Sequence, residues 1–292
     1  MTDTTILFRD ALQMAFGPLD WLPVPDGAIH RFRVPDDKPG TMNGWYVLYL
    51  DGISSGAFGS WKSGSASTWC SRKPLDANET EQVRQRVEQA RRQREAEQQR
   101  RQLKAANLAQ RWWRDARRAD PDHPYLMTKG VRTYSLRQRR DELLVPLYFG
   151  GLLVNLQRIS PDGSKRFLLG GRIKGAYSPL GRIMPGKPLC ICEGWATGAT
   201  LRESGYTVAC AMNAGNLKPV ALALRAEYHT TEIIIAGDDD RLTEGNPGRT
   251  AANAAAAAVG GLVTFPEWPA DVPNTLSDYN DLAAWSRHHA HA

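Results

Sequence analysis

The apolar positions of this chain follow two rhythms separated by a long polar interlude. From residue 188 onward, short runs of small and β-branched hydrophobes alternate with helical stretches. They predict strands at 189–193, 207–212, 232–236 and 261–265, and helices near 196–203, 218–227 and 248–259. Such alternation with right-handed crossovers gives an α/β fold, a parallel four-stranded sheet flanked by helices. The first 75 residues read differently. Leu7, Ala11 and Met14 share a helical face over 4–16, and Gly17-Pro18 ends that helix. Stretches 28–34, 45–50 and 56–62 then read as a small antiparallel β module. From Asp76 to about Arg118 there is neither Gly nor Pro, and this run of Glu, Gln, Arg and Ala predicts one charged helix about 60 Å long. Val83, Val87, Ala90 and Leu103 are too sparse for a heptad seam, so the helix is expected to be a solvent-bridging arm. Between helix and α/β repeat, 143–148 and 152–159 form a hairpin about Phe149-Gly150-Gly151, and the turn Pro161-Asp162-Gly163 leads into another strand at 165–168. The expected organisation is a β-rich module at 1–75, a candidate for DNA binding; the long helix at 76–120; a mixed α+β basic subdomain at 121–187; the catalytic α/β domain at 188–285; and a tail at 286–292 that holds His288, His289 and His291.

Charge sharpens this picture. The net charge is +6, yet residues 79–140 alone hold 17 Lys and Arg against 8 Asp and Glu, so the remainder is slightly acidic. A basic middle beside an acidic rim suits a polyanionic partner whose chemistry needs metal, although a long helix can carry such charge merely to stay solvated. Trp21, Trp45, Trp61 and Trp69 either stack bases beside Arg31, Arg33, Lys62 and Arg72 or fill the core of the small module, and the core reading carries more weight. Cys70, Cys190, Cys192 and Cys210 make no C-x-x-C pair, which argues against zinc and against a disulfide framework. Cys190 and Cys192 lie two apart on a strand and face the same way. With no signal pattern and no apolar run near the ~20 residues of a membrane span, a cytoplasmic protein is expected.

Two motif look-alikes fail. Gly52-Ile53-Ser54-Ser55-Gly56 fits G-x-S-x-G but lies between hairpin strands and not on a strand-to-helix elbow. The run Gly181 to Pro188 resembles a Walker A loop, but Pro188 replaces the Ser/Thr and the stretch precedes a strand. Without that loop no helicase segment is expected, and any unwinding is expected from a separate helicase.

The candidate chemistry lies at the carboxyl ends of the α/β strands, where open sheets collect their sites. Glu193 follows the first of these strands, Asp238-Asp239-Asp240 follows the third, and Ser277-Asp278-Tyr279-Asn280-Asp281 arrives late. Three carboxylate groups at one rim suit Mg²⁺, with Mn²⁺ as an alternative. For Glu193 to meet Asp238 and Asp240, the first and third strands must be neighbours, which predicts the sheet order 2-1-3-4. Asp239, between them, should point away. Arg158, Lys165, Arg166, Arg172 and Lys174 gather positive charge just ahead of the rim, as a polymerising site would for triphosphate and template. Asn246-Pro247-Gly248-Arg249 opens a helix whose N–H groups are expected to receive a phosphate.

Glu193-Gly194 after a strand, Asp238-x-Asp240 after a later one and Asp278 downstream resemble the Toprim domain of bacterial-type DNA primases, topoisomerases and related nucleases. Glu193-Gly194-Trp195-Ala196-Thr197-Gly198-Ala199 is similar to the E-G-Y-A-T-A motif of plasmid and phage primases. Residues 121–187 resemble the basic subdomain preceding Toprim in primases, and 20–73 loosely resemble the primase amino-terminal module without its zinc ligands. The resemblance implies Glu193 as catalytic acid/base or metal-linked carboxylate, Asp238 and Asp240 as catalytic Mg²⁺ ligands and Asp278 as a further ligand. Asn280 or Asp281 stands where the family often has another acid, and Thr197 replaces the aspartate of cellular primases. The activity so implied is Mg²⁺-dependent synthesis of short RNA primers from ribonucleoside triphosphates on single-stranded DNA, for phage or plasmid replication. The rival expectations are a Toprim-type metal-dependent nuclease and a catalytically silent single-strand-binding factor.

Overall fold

The computed structural model describes residues 3–184 and 186–289, which fall into two compact units, 1–100 and 101–292. In the first, α1 (Thr4–Phe16) precedes an antiparallel sheet, β1 (His30–Phe32), β2 (Gly44–Tyr49), β3 (Ser55–Ser60) and β4 (Ala66–Cys70), in the order β1-β2-β3-β4. The fourth strand was not legible in the sequence. Phe8 and Leu12 of α1 pack on Phe32, Tyr46, Leu48 and Phe58. The opposite face carries Trp45, Val47, Tyr49 and Ala57 against Ala90 of α2 (Ala77–Asp115). Covering both faces explains why every residue of β2 and β3 is buried. It also settles the tryptophans: Trp45 is buried, and Trp21, Trp61 and Trp69 pack against the two cores.

The helix α2 forms as its composition predicts, capped where Asp76 accepts the N–H of Glu79 (2.8 Å) and Glu79 accepts that of Leu75 (2.8 Å). Its early turns are not a free arm. Arg86 pairs with Asp51 and lies 4.8 Å from the Tyr49 ring, Arg94 lies 5.6 Å from Trp45, and Gln93 donates to the Gly27 carbonyl. Long polar side chains dock through their stems and ring faces, a contact that apolar periodicity does not register.

In the second unit, β5 (Arg117–Arg118), α3 (Pro124–Lys129), β6 (Arg137–Arg139), β7 (Glu142–Phe149), β8 (Leu152–Ile159) and β9 (Lys165–Phe167) form an antiparallel meander in the order β5-β6-β7-β8-β9. Leu144, Leu156 and Leu168 on one face meet Ala109, Trp112 and Trp113 near the end of α2. Leu143, Val145, Leu147 and Ile159 on the other face enter a core shared with the following α/β repeat.

That repeat comprises β10 (Ser178–Leu180), β11 (Leu189–Cys192), α4 (Trp195–Glu203), β12 (Thr207–Cys210), α5 (Ala214–Glu227), β13 (Ile233–Ala236), α6 (Pro247–Val259), β14 (Leu262–Thr264) and α7 (Tyr279–His289). The sheet order is β10-β12-β11-β13-β14. The four parallel strands thus adopt the expected 2-1-3-4 order, and β10 adds an unforeseen fifth, antiparallel to β12. Ile191, Ile233 and Ile235 face α5 and α6, while Cys190, Cys192 and Cys210 face α4. The shared core and β10 erase the expected boundary at 187, and α7 replaces most of the expected tail. Trp285 and His289 stack at 4.2 Å within that helix; His291 lies outside the described residues.

Among the described residues no helix is long and apolar enough to cross a membrane. Cys190, Cys192 and Cys210 are buried, and burial pushes the Cys190 thiol up to about 12, whereas Cys70 is half-exposed. A maleimide reagent is therefore expected to label Cys70 in the native protein and the other three only on unfolding, counted by mass spectrometry. Rapid native labelling of Cys192 or Cys210 would contradict this packing.

Candidate active site

Strand pairing builds the site. Cys192 lies opposite Ala236 in the parallel pair β11–β13, so Glu193 and Asp238 leave neighbouring strands at the same end of the sheet. Glu193 is half-buried and held from both sides. Its carbonyl accepts the Met212 N–H (2.7 Å), and the backbone N–H of Ala214 at the start of α5 faces its carboxylate and favours the charged form. Burial and the charge of Asp240 raise its pKa; the Ala214 N–H and Lys165 oppose them.

The three successive aspartates have three different environments. Asp238 is the most strained electrostatically: burial, then Glu193, Asp278, Asp240 and Asp281, push it up to about 8. Its Oδ1 is buried without a hydrogen-bond partner. Asp239 turns the other way and is only 4% exposed. Burial alone would raise its pKa, but Asn246 (2.7 Å), Arg249 (3.1 Å) and Trp268 (3.1 Å) all donate to it and hold it below the usual carboxylate range. Asp240 accepts the Gly248 N–H through Oδ2 (2.9 Å), placing a carboxylate on the amino terminus of α6. A Cβ at position 248 would lie 2.9 Å from that oxygen and 2.6 Å from the Asp238 carbonyl, so the contact requires glycine. The expected phosphate seat at this helix terminus is therefore corrected: Asp240 fills it.

The late acids arrive through α7. Asp278 accepts the Asp281 N–H (2.8 Å) and Asp281 accepts that of Ser277 (3.2 Å), a reciprocal cap that leaves both carboxylates facing Asp238. Asn280 points elsewhere, into α3 and α4, donating to the Lys129 carbonyl (2.8 Å) and the Thr200 hydroxyl (3.0 Å).

The expected basic cluster divides. Lys165 pairs across the sheet with Ile159, whereas Arg166 pairs with Arg158, so these neighbours in sequence occupy opposite faces. Lys165 faces the acids. Dense surroundings and Lys129 lower its pKa, while Asp278, Glu193 and Asp238 raise it, and its ammonium lies 5.6 Å from the Tyr125 ring. Arg158 instead pairs with Glu142 (3.4 Å) and flanks Trp112. Arg172 lies 3.3 Å from the Phe149 ring and donates to the Lys174 carbonyl, and Lys174 is exposed.

Lys129, 3.5 Å from Asp281, is a cation of this site that the sequence reading missed. Its helix, α3, was signalled by His123 at the cap, Pro124 at the first position and Gly130 beyond the end, but six residues are too few to show periodicity.

Among the described residues no three His, Cys, Asp or Glu side chains form a ready-made metal group. The donor chemistry nevertheless fits a hard divalent cation. All candidate ligands are carboxylate oxygens, and the orphaned Asp238 Oδ1 lacks the partner that an ion would supply.

Residues 188–284 match the family model described as Toprim domain. Two curated Escherichia coli proteins, each named DNA primase TraC, are 34% identical over 277 residues and 36% identical over 260 residues, covering 88% and 84% of this chain. The chain spans only 19% and 24% of the length of those relatives. A chain of a bacteriophage T7 structure, described as a lagging-strand DNA polymerase interacting with primase domains bound to an RNA/DNA hybrid and dTTP, is 19% identical. It aligns with 57% of this chain and 88% of its own length, at a TM-score of 0.41.

Proposed function

We propose that this chain, whose residues 188–284 match the Toprim domain model, is a DNA primase making short RNA primers on single-stranded DNA. The observation that carries the reading is the convergence of Asp238, Glu193, Asp278 and Asp240 on one sheet rim, with Lys165 facing them from β9. Likeness to the Escherichia coli proteins named DNA primase TraC supports the choice of reaction. The compartment this implies is the cytoplasm, with ribonucleoside triphosphates and template as substrates and unwinding by a separate helicase.

Asp238, Asp240, Glu193 and Asp278 would hold Mg²⁺, or Mn²⁺ in its place. When bound, the ion supplies charge neutralisation for the triphosphate and lowers the pKa of the attacking 3′-hydroxyl. The protein's own groups do the rest. Glu193, with its carboxyl raised by burial, is placed to take up a proton as the hydroxyl attacks. Lys165 and Lys129 present ammonium groups to the phosphates, and Tyr125 supports Lys165 through its ring face. Asp239 keeps its two neighbours aimed by tying their strand end to α6.

Incubating the full chain with single-stranded template, ribonucleotides and Mg²⁺ tests the reading. Short RNA is expected, and Glu193→Gln should reduce it about 100-fold or more. Lys165→Gln should raise the ribonucleotide KM about tenfold or more, the scale of one charge-assisted phosphate contact. Shortened template with no RNA would instead identify a nuclease, and retained template with neither product a binding factor.

A further inference from the structure

The amino terminus of α4 stands at the carboxyl rim, because this helix leaves β11 through Glu193 and Gly194. A helix leaves its first N–H groups without partners, and they attract negative charge. Elsewhere along the rim the chain supplies that charge itself. Asp240 accepts from the first turn of α6, Asp278 accepts from that of α7, and the Ala214 N–H of α5 faces the Glu193 carboxylate. No side chain caps α4. Its first turn is nevertheless buried, with Trp195 1%, Ala196 4% and Thr197 1% exposed.

Two residues at this turn point to a ligand. The Thr197 hydroxyl is buried and has no hydrogen-bond partner. Thr200, one turn further along the same face, is satisfied twice: it donates to the Ala196 carbonyl (3.2 Å) and accepts from Asn280 of α7 (3.0 Å). Helical side chains lean towards the amino end, and Thr197 Oγ1 lies 3.4 Å from where a Cβ on Gly194 would stand, so it is aimed into the uncapped terminus. Gly194 is the other. Its φ of −90° and ψ of 153° suit any residue, and beyond its chain neighbours an added Cβ would meet only that hydroxyl within 4 Å. Neither backbone nor packing calls for glycine here, whereas close approach of a ligand to the backbone does.

The donors of α4 and the orphaned acceptor Asp238 Oδ1 leave neighbouring strand ends, with Glu193 between them. One side calls for an anion and the other for a cation. A phosphate carried on a divalent ion meets both demands. We infer that the α4 terminus, through its N–H groups and the Thr197 hydroxyl, seats a phosphate of a nucleotide's polyphosphate chain. Burial of the first turn favours a free polyphosphate over the backbone of a strand, whose phosphates carry a sugar on either side. This deepens the primase reading and rests on it for the identity of the nucleotide. The rival partner for Thr197 is a trapped water, which would leave phosphate affinity indifferent to the hydroxyl.

The test uses the full chain and inorganic tripolyphosphate in Mg²⁺, titrated by calorimetry. Thr197→Val keeps the branched shape and removes the hydroxyl, while Gly194→Ala sets a methyl group in front of it. Each should weaken tripolyphosphate binding about tenfold or more, the scale of one hydrogen bond to a charged group. Thr197→Ser should restore it. Mn²⁺ titrated alone should bind both variants as it binds wild type. Metal-free Thr197→Val should melt a few degrees higher, since a buried hydroxyl without a partner costs stability. Wild-type tripolyphosphate affinity in Thr197→Val would overturn the inference. So would a lowered melt of that variant, which reveals a partner inside the protein, or an equal loss of Mn²⁺ affinity, which assigns the hydroxyl to the ion. An oligothymidylate without terminal phosphates that loses affinity equally in both variants would overturn the nucleotide assignment in favour of a strand. A wild type that binds tripolyphosphate through Thr197 yet makes no RNA defeats the primase reading alone. A chain that makes RNA while Thr197→Val binds tripolyphosphate like wild type defeats only the seat.

Discussion

On the proposed primase reading, Asp238→Asn is expected to cut primer synthesis by about 100- to 1,000-fold or more, while making the metal-free protein more stable. Both effects follow from one environment. With Glu193, Asp278, Asp240 and Asp281 around it and no partner for Oδ1, the carboxyl is pushed up to about 8 from an ordinary 3.8. The folded state therefore keeps a proton that the unfolded chain releases near pH 4. The resulting contribution to stability is greatest below pH 4 and is lost progressively as pH rises towards 8. Asparagine carries no charge at any of these values. In EDTA, the melting temperature of Asp238→Asn should exceed that of wild type by little at pH 5 and by several degrees at pH 8, a difference of up to a few kcal/mol. Adding Mg²⁺ should raise the wild type more than the variant and close the gap. A gap that stayed constant with pH, or Mg²⁺ that stabilised neither protein, would remove the case for converging carboxylates.

One residue along the chain, the same loss of charge should do the opposite. Asp239→Ala deletes a buried carboxylate that accepts from Asn246, Arg249 and Trp268, leaving a guanidinium, an amide and an indole N–H without their acceptor. Arg249 is half-exposed and its guanidinium stays solvated without this partner, so the cost is that of the lost hydrogen bonds to a buried carboxylate, about 1–3 kcal/mol. That is a large share of the stability of an ordinary domain. The urea midpoint followed by tryptophan fluorescence should fall accordingly. Activity measured well below the melting temperature should fall too, because Asp238 and Asp240 lose the tie that aims them. Asp239→Asn, which keeps an oxygen for Trp268, should lose less. Wild-type stability in Asp239→Ala would show that the α6 terminus does not depend on this carboxylate.

Much of this arrangement was legible because strand geometry is periodic. The order of the four parallel strands followed from requiring Glu193 and Asp238 to meet, and the opposite turn of Asp239 followed from alternation. The same rule separates Lys165 from Arg166, yet charge density in the sequence had grouped them with Arg158 as one patch. Other features left no periodic trace. The short strands β5, β6 and β10 acquire meaning only from the sheets they join. Docking of α2 on the small module depends on Arg and Gln stems and on Ala90, which a hydropathy pattern scores as exposed helix. The amino terminus of α6 looked like an anion seat and is one, but the anion is Asp240 from its own chain, a pairing that sequence distance does not disclose.

Leu143, Val145 and Ile159 of the meander pack in one core with Cys190, Trp195 and Val208 of the α/β repeat. Lys165 and the carboxylates it faces thus stand on parts that cannot move apart without breaking that packing. On the primase reading, a triphosphate would therefore reach a lysine and carboxylates that a single core already holds side by side, with no hinge between the two sheets.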